Sequence, residues 1–112
     1  MKNVLGTTLK LCSKSPLTGY LRDGFCRTDQ RDRGLHLVAA IMTKKFLEFT
    51  KSRGNDLSTP NKAFGFPGLI PGDRWCLCAL RWMEAYKASC APPVVLEATN
   101  ERALDIIDLK YL

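Results

Sequence analysis

The sequence predicts a single α+β domain spanning residues 1–112, with two main helices packed against a small mixed sheet of short strands. Its 112 residues supply one hydrophobic core but not two. One short run is apolar on both faces, as in a central strand. Two longer segments, about 44–53 and 74–89, carry the apolar spacing of amphipathic helices, and strands mixed with helices are typical of α+β folds. A 46% hydrophobic and 25% charged composition excludes a mostly disordered chain.

The central strand and the first helix are predicted next to each other. Residues 35–42 are apolar at both odd and even positions, so the strand is expected to be covered on both sides. Thr43 follows where an N-cap belongs, which starts a helix over 44–53. Gly54 supplies the left-handed residue that commonly follows a helix. The inner stripe of this helix is expected to contain Phe46, Leu47, Phe49 and Thr50.

The second helix is predicted over 74–89. Asp73 stands at the N-cap position and Pro92-Pro93 ends the element. A strand through 74–78 is the alternative that we favour less. The apolar residues at helical spacing are Trp75, Cys78, Ala79, Trp82, Met83 and Tyr86.

Shorter signals predict the remaining elements. Strands are expected at 94–96 and 106–107, and single helical turns capped by Thr99 and Asp108. The loop 54–73 is the longest irregular stretch, and loops of more than about 12–15 residues are usually functional or disordered. Because this loop holds several apolar residues, we expect it to be ordered and to carry the functional surface. Those residues are Phe64, Phe66, Leu69 and Ile70.

The net charge of +6 is unevenly distributed. Residues 1–62 carry +7 and residues 63–112 carry −1, and a positive field attracts anions. We therefore predict a small binding or interaction protein that uses the 54–75 loop and a basic N-terminal surface. The expected partner is an anionic small molecule or an acidic protein surface. Nucleic acid is disfavoured by the acidic balance after residue 62, and a merely solubilising surface is the competing interpretation. The candidate ligand-binding residues are Arg22, Arg27, Asp73, Arg74, Phe66 and Trp75.

The expected compartment follows from what the sequence lacks. No apolar run approaches the roughly 18 residues of a membrane span, and the N-terminal segment has no apolar core of a signal peptide. We therefore expect a cytoplasmic protein without a membrane partner. A reducing compartment and an odd count of five cysteines predict reduced thiols rather than a disulfide framework.

The cysteine pair Cys76 and Cys78 has the appearance of a metal or redox site. On a helix, residues two apart do not face each other, and zinc sites usually place two to four residues between paired cysteines. Buried thiols acting as small apolar side chains are the expected role. We accordingly expect no metal and no cofactor.

The loop cysteine Cys26 offers a different chemistry. It lies beside Arg22 and Arg27, where positive neighbours favour the thiolate. A nucleophile also needs a base, and His36 is the single histidine. A thiol-dependent enzyme or metal-binding site built on Cys26, His36 and the helix cysteines is therefore the alternative function. The thiol-cluster candidates are Cys12, Cys26, Cys76 and Cys78. Enzymatic activity and oligomeric state stay open.

Between residues 52 and 82 the chain contains the motifs SRGNDLSTP, FGFPGL, PGDRWCLCA and RW. Further motifs are NVLG and PLTGYLRDGFCRT near the start and APPVVLEAT near the end. In these motifs the chain resembles a bacterial family of uncharacterised proteins, domain of unknown function DUF2237. The resemblance implies a small cytoplasmic protein of common fold, with no activity to transfer. Four cysteines and the histidine of this chain match the family pattern, so a thiol site built from them is consistent with the resemblance. These residues are Cys12, Cys26, His36, Cys76 and Cys78.

Overall fold

The structure, a computed structural model, describes residues 1–112. The α+β fold class is confirmed. Neither helix has the length and apolar character that crossing a bilayer requires. The main elements are β1 (His36–Ile41), α1 (Lys44–Ser52), β2 (Arg74–Cys78) and α2 (Ala79–Lys87). Four short 3₁₀ helices complete the chain at Lys62–Phe64, Leu96–Ala98, Glu101–Asp105 and Leu109–Tyr111.

The sheet contains only the antiparallel strands β1 and β2, so the expected small mixed sheet is wrong in its details. The predicted strand at 94–96 reduces to one bridge between Val94 and Ala40, because the backbone turns into a 3₁₀ helix at Leu96. The predicted strand at 106–107 instead follows the end of another 3₁₀ helix, at Asp105. Short apolar runs do not distinguish strands from tight turns when the backbone bends within two residues.

The second predicted helix is wrong in its first five residues. Residues 74–78 form β2, which confirms the less favoured alternative, and the helix begins at Ala79. Pairing with β1 overrides the helical spacing. A strand buried on both faces shows no alternation of polar and apolar residues, so its sequence does not distinguish it from a buried helix. Asp73 is therefore not a helix cap. Its carboxylate accepts a hydrogen bond from the backbone N–H of Ile70, 2.9 Å away, within a turn.

The first predicted strand and helix are confirmed. The Oγ1 atom of Thr43 accepts a hydrogen bond from the backbone N–H of Phe46 at 3.1 Å, which caps α1. Gly54 has a φ of +89° after the helix end. The final predicted turn also forms with Asp108 as its cap, whereas the turn before it is capped by Asn100 rather than Thr99.

The sheet separates two buried clusters. The larger contains 15 residues, ten of them from the two strands and two helices, including Phe46 and Trp82. The smaller lies around Ala39 and Cys76, which are paired across the two strands. Since neighbouring residues of a strand point to opposite faces, Trp75 and Leu77 belong to the large cluster while Cys76 belongs to the small one. The small cluster consists of Cys12, Cys26, Ala39, Cys76 and Ala98.

The two ends of the chain are hydrogen-bonded to each other, a pairing that we call the terminal clasp (residues 2–4 with 97–101). The fully buried Asn3 side chain donates from Nδ2 to the carbonyl oxygen of Glu97 at 3.0 Å. The backbone N–H of Val4 donates to the carbonyl oxygen of Thr99, also at 3.0 Å.

The loop 54–73 is ordered, as predicted, but two of its expected anchors are not buried. Leu69 is buried, and its backbone N–H donates to the carbonyl oxygen of Leu57 at 2.8 Å. Phe64 is 84% exposed and Ile70 is 66% exposed. The loop is therefore closed by Leu57 and Leu69, with Phe66 packed against the core, and it presents Phe64 and Ile70 outward.

Candidate functional site

A cavity of about 580 Å³, which we call the loop pocket, opens between the loop 54–73 and the segment around residues 19–22. Strand β2 supplies Trp75 and Cys76, and the start of β1 supplies His36. The loop itself contributes Phe66 and the exposed Phe64. The pocket therefore joins the loop expected to be functional to the basic N-terminal part of the chain.

One wall of the loop pocket combines aromatic rings with a positive charge. The ring of Phe66 meets the ring of Trp75 edge-on, with centroids 5.4 Å apart. The guanidinium carbon of Arg22 lies 5.0 Å from the centroid of the same indole ring. One Arg22 nitrogen, Nη1, donates to the carbonyl oxygen of Gly19 at 2.6 Å. A guanidinium has five N–H donors, so this packing fixes its position and leaves donors for a ligand.

A buried carboxylate orients the histidine of the pocket. The Nδ1 atom of His36 lies 2.6 Å from Oδ1 of Asp32, whose side chain is 1% exposed. Oδ2 of Asp32 accepts hydrogen bonds from the backbone N–H of His36 and from Oγ1 of Thr28, each at 2.9 Å. Burial raises the pKa of Asp32, but these hydrogen bonds outweigh burial and hold the pKa below its ordinary value.

An ionised Asp32 fixes the tautomer of His36. A carboxylate accepts hydrogen bonds only, so the neutral imidazole carries its proton on Nδ1 and leaves Nε2 as an acceptor. The ring of Tyr20 stacks on the imidazole with centroids 6.1 Å apart and an angle of 22° between the planes. His36 is therefore positioned from two sides, by Asp32 and by Tyr20, at the lining of the loop pocket.

The prediction of five reduced thiols is wrong. Cys26 and Cys76 form a disulfide, with an S–S distance of 2.01 Å and Cα atoms 5.2 Å apart. An odd cysteine count excludes complete pairing but permits a single bond. The fold brings the two residues together because the segment 12–26 packs on β2. There the backbone N–H of Cys76 donates to Oγ1 of Thr18 at 2.9 Å.

A third cysteine adjoins this disulfide. The sulfur of Cys12 and the sulfurs of Cys26 and Cys76 all lie within 4.8 Å of one another, and all three residues are buried. Burial raises the pKa of Cys12 to about 12, and the positive charge of Arg74 offsets part of that rise. These sulfurs are the grouping best placed to share a metal ion. A metal needs thiolate ligands, so the disulfide would first have to be reduced.

Two of the free cysteines lie outside this cluster. Cys78 ends β2, is half-buried and pairs across the strands with His36, so the predicted thiol cluster of four is a cluster of three. Cys90 is half-buried in the turn after α2. Cys26 is fully buried within the disulfide, so it offers no free thiol to His36 in this state.

The predicted ligand-binding residues divide into two groups. Arg22, Phe66 and Trp75 line the loop pocket. The other three lie outside its lining: Arg27 donates from Nε to Oδ2 of Asp23 at 2.6 Å, Asp73 closes a turn, and Arg74 begins β2.

Three residues of the site were missed from the sequence: Asp32, Tyr20 and Asp56. Asp32 lies four residues before His36, a spacing that signals contact on a helix, but here the two residues are joined by a polar loop. Tyr20 carried no signal of its own. Asp56 contributes a carboxylate to the pocket. Hydrogen bonds from Thr59 and Ser58 hold the pKa of Asp56 below its ordinary value, so this carboxylate is ionised at neutral pH.

The comparison with known proteins agrees with the sequence motifs. Comparison with curated proteins gives no match. A family model described as an uncharacterised protein conserved in bacteria, DUF2237, matches residues 2–112. The match thus includes every residue of the loop pocket and of the three-cysteine cluster. The chain belongs to the DUF2237 family, whose function is unknown.

Proposed function

We propose that this protein binds a small molecule in the loop pocket, and that the ligand has a flat apolar body and one anionic group. The observation that carries the proposal is the Arg22 guanidinium held over Trp75 at the pocket wall. Ligand sites in proteins are concave, mostly apolar and supplied with a few placed polar groups. Phe64, largely exposed at the same pocket, provides further apolar surface for contact.

The charges of the pocket favour a small ligand over an extended acidic partner. Arg22 provides a cation, whereas Asp56 provides an ionised carboxylate in the same lining. An acidic protein surface covering both groups would place like charges against Asp56, which is unfavourable. A small ligand directs its anionic group to Arg22 and a hydroxyl or amine donor to Asp56. An acidic protein surface therefore remains the second partner class, and we propose neither nucleic acid nor membrane as a partner.

The proposed compartment is the cytoplasm. The motifs that the chain shares with its bacterial family support that placement. Disulfides in the cytosol are usually transient, serving catalysis or redox sensing. The Cys26–Cys76 bond would therefore be formed and broken in the cell rather than serve as a permanent link.

A titration followed by amide NMR tests the proposed binding. Suitable probes are phenyl phosphate and benzoate, with benzyl alcohol as the neutral analogue. We expect the anionic probes to shift the resonances of Arg22, Phe66 and Trp75. Arg22→Ala should weaken binding at least tenfold, about 1.4 kcal/mol. The matched control is Arg33→Ala, which removes an exposed arginine outside the pocket and should leave binding unchanged.

The same titration can refute the proposal. Equal binding of benzyl alcohol and phenyl phosphate would show that Arg22 does not select an anion. Absence of shifts at millimolar probe concentrations would remove the small-molecule site. Shifts caused by a glutamate-rich peptide but not by the small probes would identify the acidic protein surface as the partner.

Thiol chemistry is the second candidate function, because one free thiol lies beside the disulfide. The pair predicted from the sequence, with Cys26 as nucleophile and His36 as base, requires prior reduction of the Cys26–Cys76 bond. The position of Cys12 supports a different reaction, which needs no free Cys26.

A further inference from the structure

The three-cysteine cluster places a thiol beside a disulfide. Cys12 keeps its thiol while Cys26 and Cys76 are bonded, and all three sulfurs lie within 4.8 Å of one another. Cys26 is fully buried, Cys76 is 1% exposed and Cys12 is 4% exposed. Disulfides rearrange when a thiolate attacks one of the two bonded sulfurs. The attacking and attacked atoms of such a step are thus already neighbours in the folded chain.

We propose that Cys12, Cys26 and Cys76 form an internal thiol–disulfide exchange site that releases the Cys76 thiol next to the loop pocket. In this step the Cys12 sulfur attacks the Cys26 sulfur. The Cys12–Cys26 bond forms and the Cys26–Cys76 bond breaks. The proton lost by the Cys12 thiol is balanced by the proton gained at the Cys76 sulfur. The step has no net oxidation or reduction, so it needs no external oxidant or reductant.

The two bonded cysteines are almost equally buried but differ in their neighbours. Both belong to the small apolar cluster, with Cys26 0% and Cys76 1% exposed. Only Cys76 also borders the loop pocket, whose lining includes Arg22 and His36. Exchange is faster when the leaving thiolate is more stable, and a positively charged residue in the neighbouring lining favours a thiolate at Cys76 over one at Cys26.

The burial of Cys12 keeps the exchange slow in the resting protein. Only the thiolate attacks, and the desolvation that raises the pKa of Cys12 leaves about one molecule in 10⁵ ionised at pH 7. Arg74 is the charged group that favours this thiolate. The Cys26–Cys76 bond is thus the resting arrangement. A change that admits water to Cys12 would start the exchange and replace the disulfide beside the loop pocket with a free thiol at Cys76.

Trapping by alkylation tests the exchange. The oxidised protein, carrying Cys78→Ser so that peptide 75–81 holds one cysteine, is incubated at pH 8.5 with N-ethylmaleimide and then digested with trypsin. Alkylation of released Cys76 prevents the reverse step. We expect peptides joined through Cys12 and Cys26, together with alkylated Cys76, to accumulate over hours. The tryptic peptides are 11–14 for Cys12, 23–27 for Cys26 and 75–81 for Cys76.

Two further variants make the test decisive. Cys12→Ala should abolish alkylation of Cys76, whereas Cys90→Ala, which removes a cysteine outside the cluster, should not change it. Equal alkylation of Cys76 with and without Cys12 would overturn the proposal. So would recovery of the Cys26–Cys76 bond alone after prolonged incubation of the Cys78→Ser protein.

The Cys76→Ser variant gives a second measurement that does not depend on the folding of Cys12→Ala. Treatment with oxidised glutathione should join Cys12 to Cys26 and release two molecules of reduced glutathione. Persistent glutathione adducts on Cys26, without the Cys12–Cys26 bond, would show that the two sulfurs cannot bond and would overturn the proposal. These experiments do not involve a pocket ligand, so they can refute the exchange without refuting the proposed binding, and the titration can refute the binding without refuting the exchange.

Discussion

Reducing the Cys26–Cys76 disulfide should lower the stability of this protein by an amount set by the length of chain that it closes. The two cysteines are 50 residues apart. In the chain-entropy model a bond closing that many residues lowers the entropy of the unfolded ensemble by about 14 cal/mol/K, or about 4 kcal/mol at 25 °C. At about 2.1 cal/mol/K of unfolding entropy per residue, a chain of 112 residues should lose about 17 °C in Tm.

Thermal unfolding followed by circular dichroism, with and without a phosphine reductant, measures this difference. A double variant, Cys26→Ala with Cys76→Ala, serves as the control and should not respond to the reductant. Cys90→Ala should respond as fully as the unmodified chain. A Tm that changes by less than about 3 °C on reduction would refute the reasoning, because the closed loop would then make no contribution to stability.

Three further predictions concern Asp32, Cys12 and Phe46. Asp32→Ala should reduce the free energy of unfolding by about 3 kcal/mol in urea titration, because it removes the buried acceptor of three hydrogen bonds. Asp32→Asn keeps one acceptor oxygen, so its free energy of unfolding should fall by about half as much. Since the pKa of Asp32 lies below its ordinary value in the folded state, its stabilising effect is present above pH 4 and lost as the pH falls further. The Asp32→Asn protein should therefore lose less stability below pH 4 than the unmodified chain. Equal losses of stability in the two proteins would contradict this prediction. The pKa of Cys12 is about 12, so the rate of its alkylation should rise about tenfold per pH unit from pH 7 to pH 11. The alkylation rate of an ordinary thiol levels off near pH 9. A plateau near pH 9 for Cys12 would contradict the effect of burial. Phe46→Ala, at a fully buried position, should cost about 3–5 kcal/mol by the same urea assay, and a cost under 1 kcal/mol would mean that α1 does not pack as described.

The elements that the sequence predicted correctly are those with local signals. Helix α1 has a capping threonine before it and a glycine after it, and strand β1 is an apolar run bounded by polar residues. Strand β2 carries no such signal, because Trp75, Cys76 and Leu77 are all buried and their spacing also fits a helix. Its conformation depends on pairing with β1, and pairing between distant segments is not written in local periodicity.

Part of the candidate pocket could also be anticipated from the sequence. The loop 54–73 forms one side of it, and Arg22, Phe66 and Trp75 are among its lining residues. Their role in ligand binding stays a prediction. The disulfide was missed because it joins residues 50 positions apart, and only the fold brings them together. The contact of Asp32 with His36 was missed for a different reason, since the chain between them is a turn and four-residue spacing predicts contact only on a helix.

The terminal clasp determines which part of the fold can form last during translation. Asn3 is translated 94 residues before Glu97, whose carbonyl oxygen is its partner. At about 5–20 residues per second, Asn3 waits roughly 5–19 s for that partner. Strand β1 and helix α1 are complete by residue 52, but the buried polar side chain of Asn3 has no native partner in segment 97–101 until that segment has been translated. The segment 97–101 therefore completes the clasp, and nascent chains stalled before residue 97 should remain sensitive to protease.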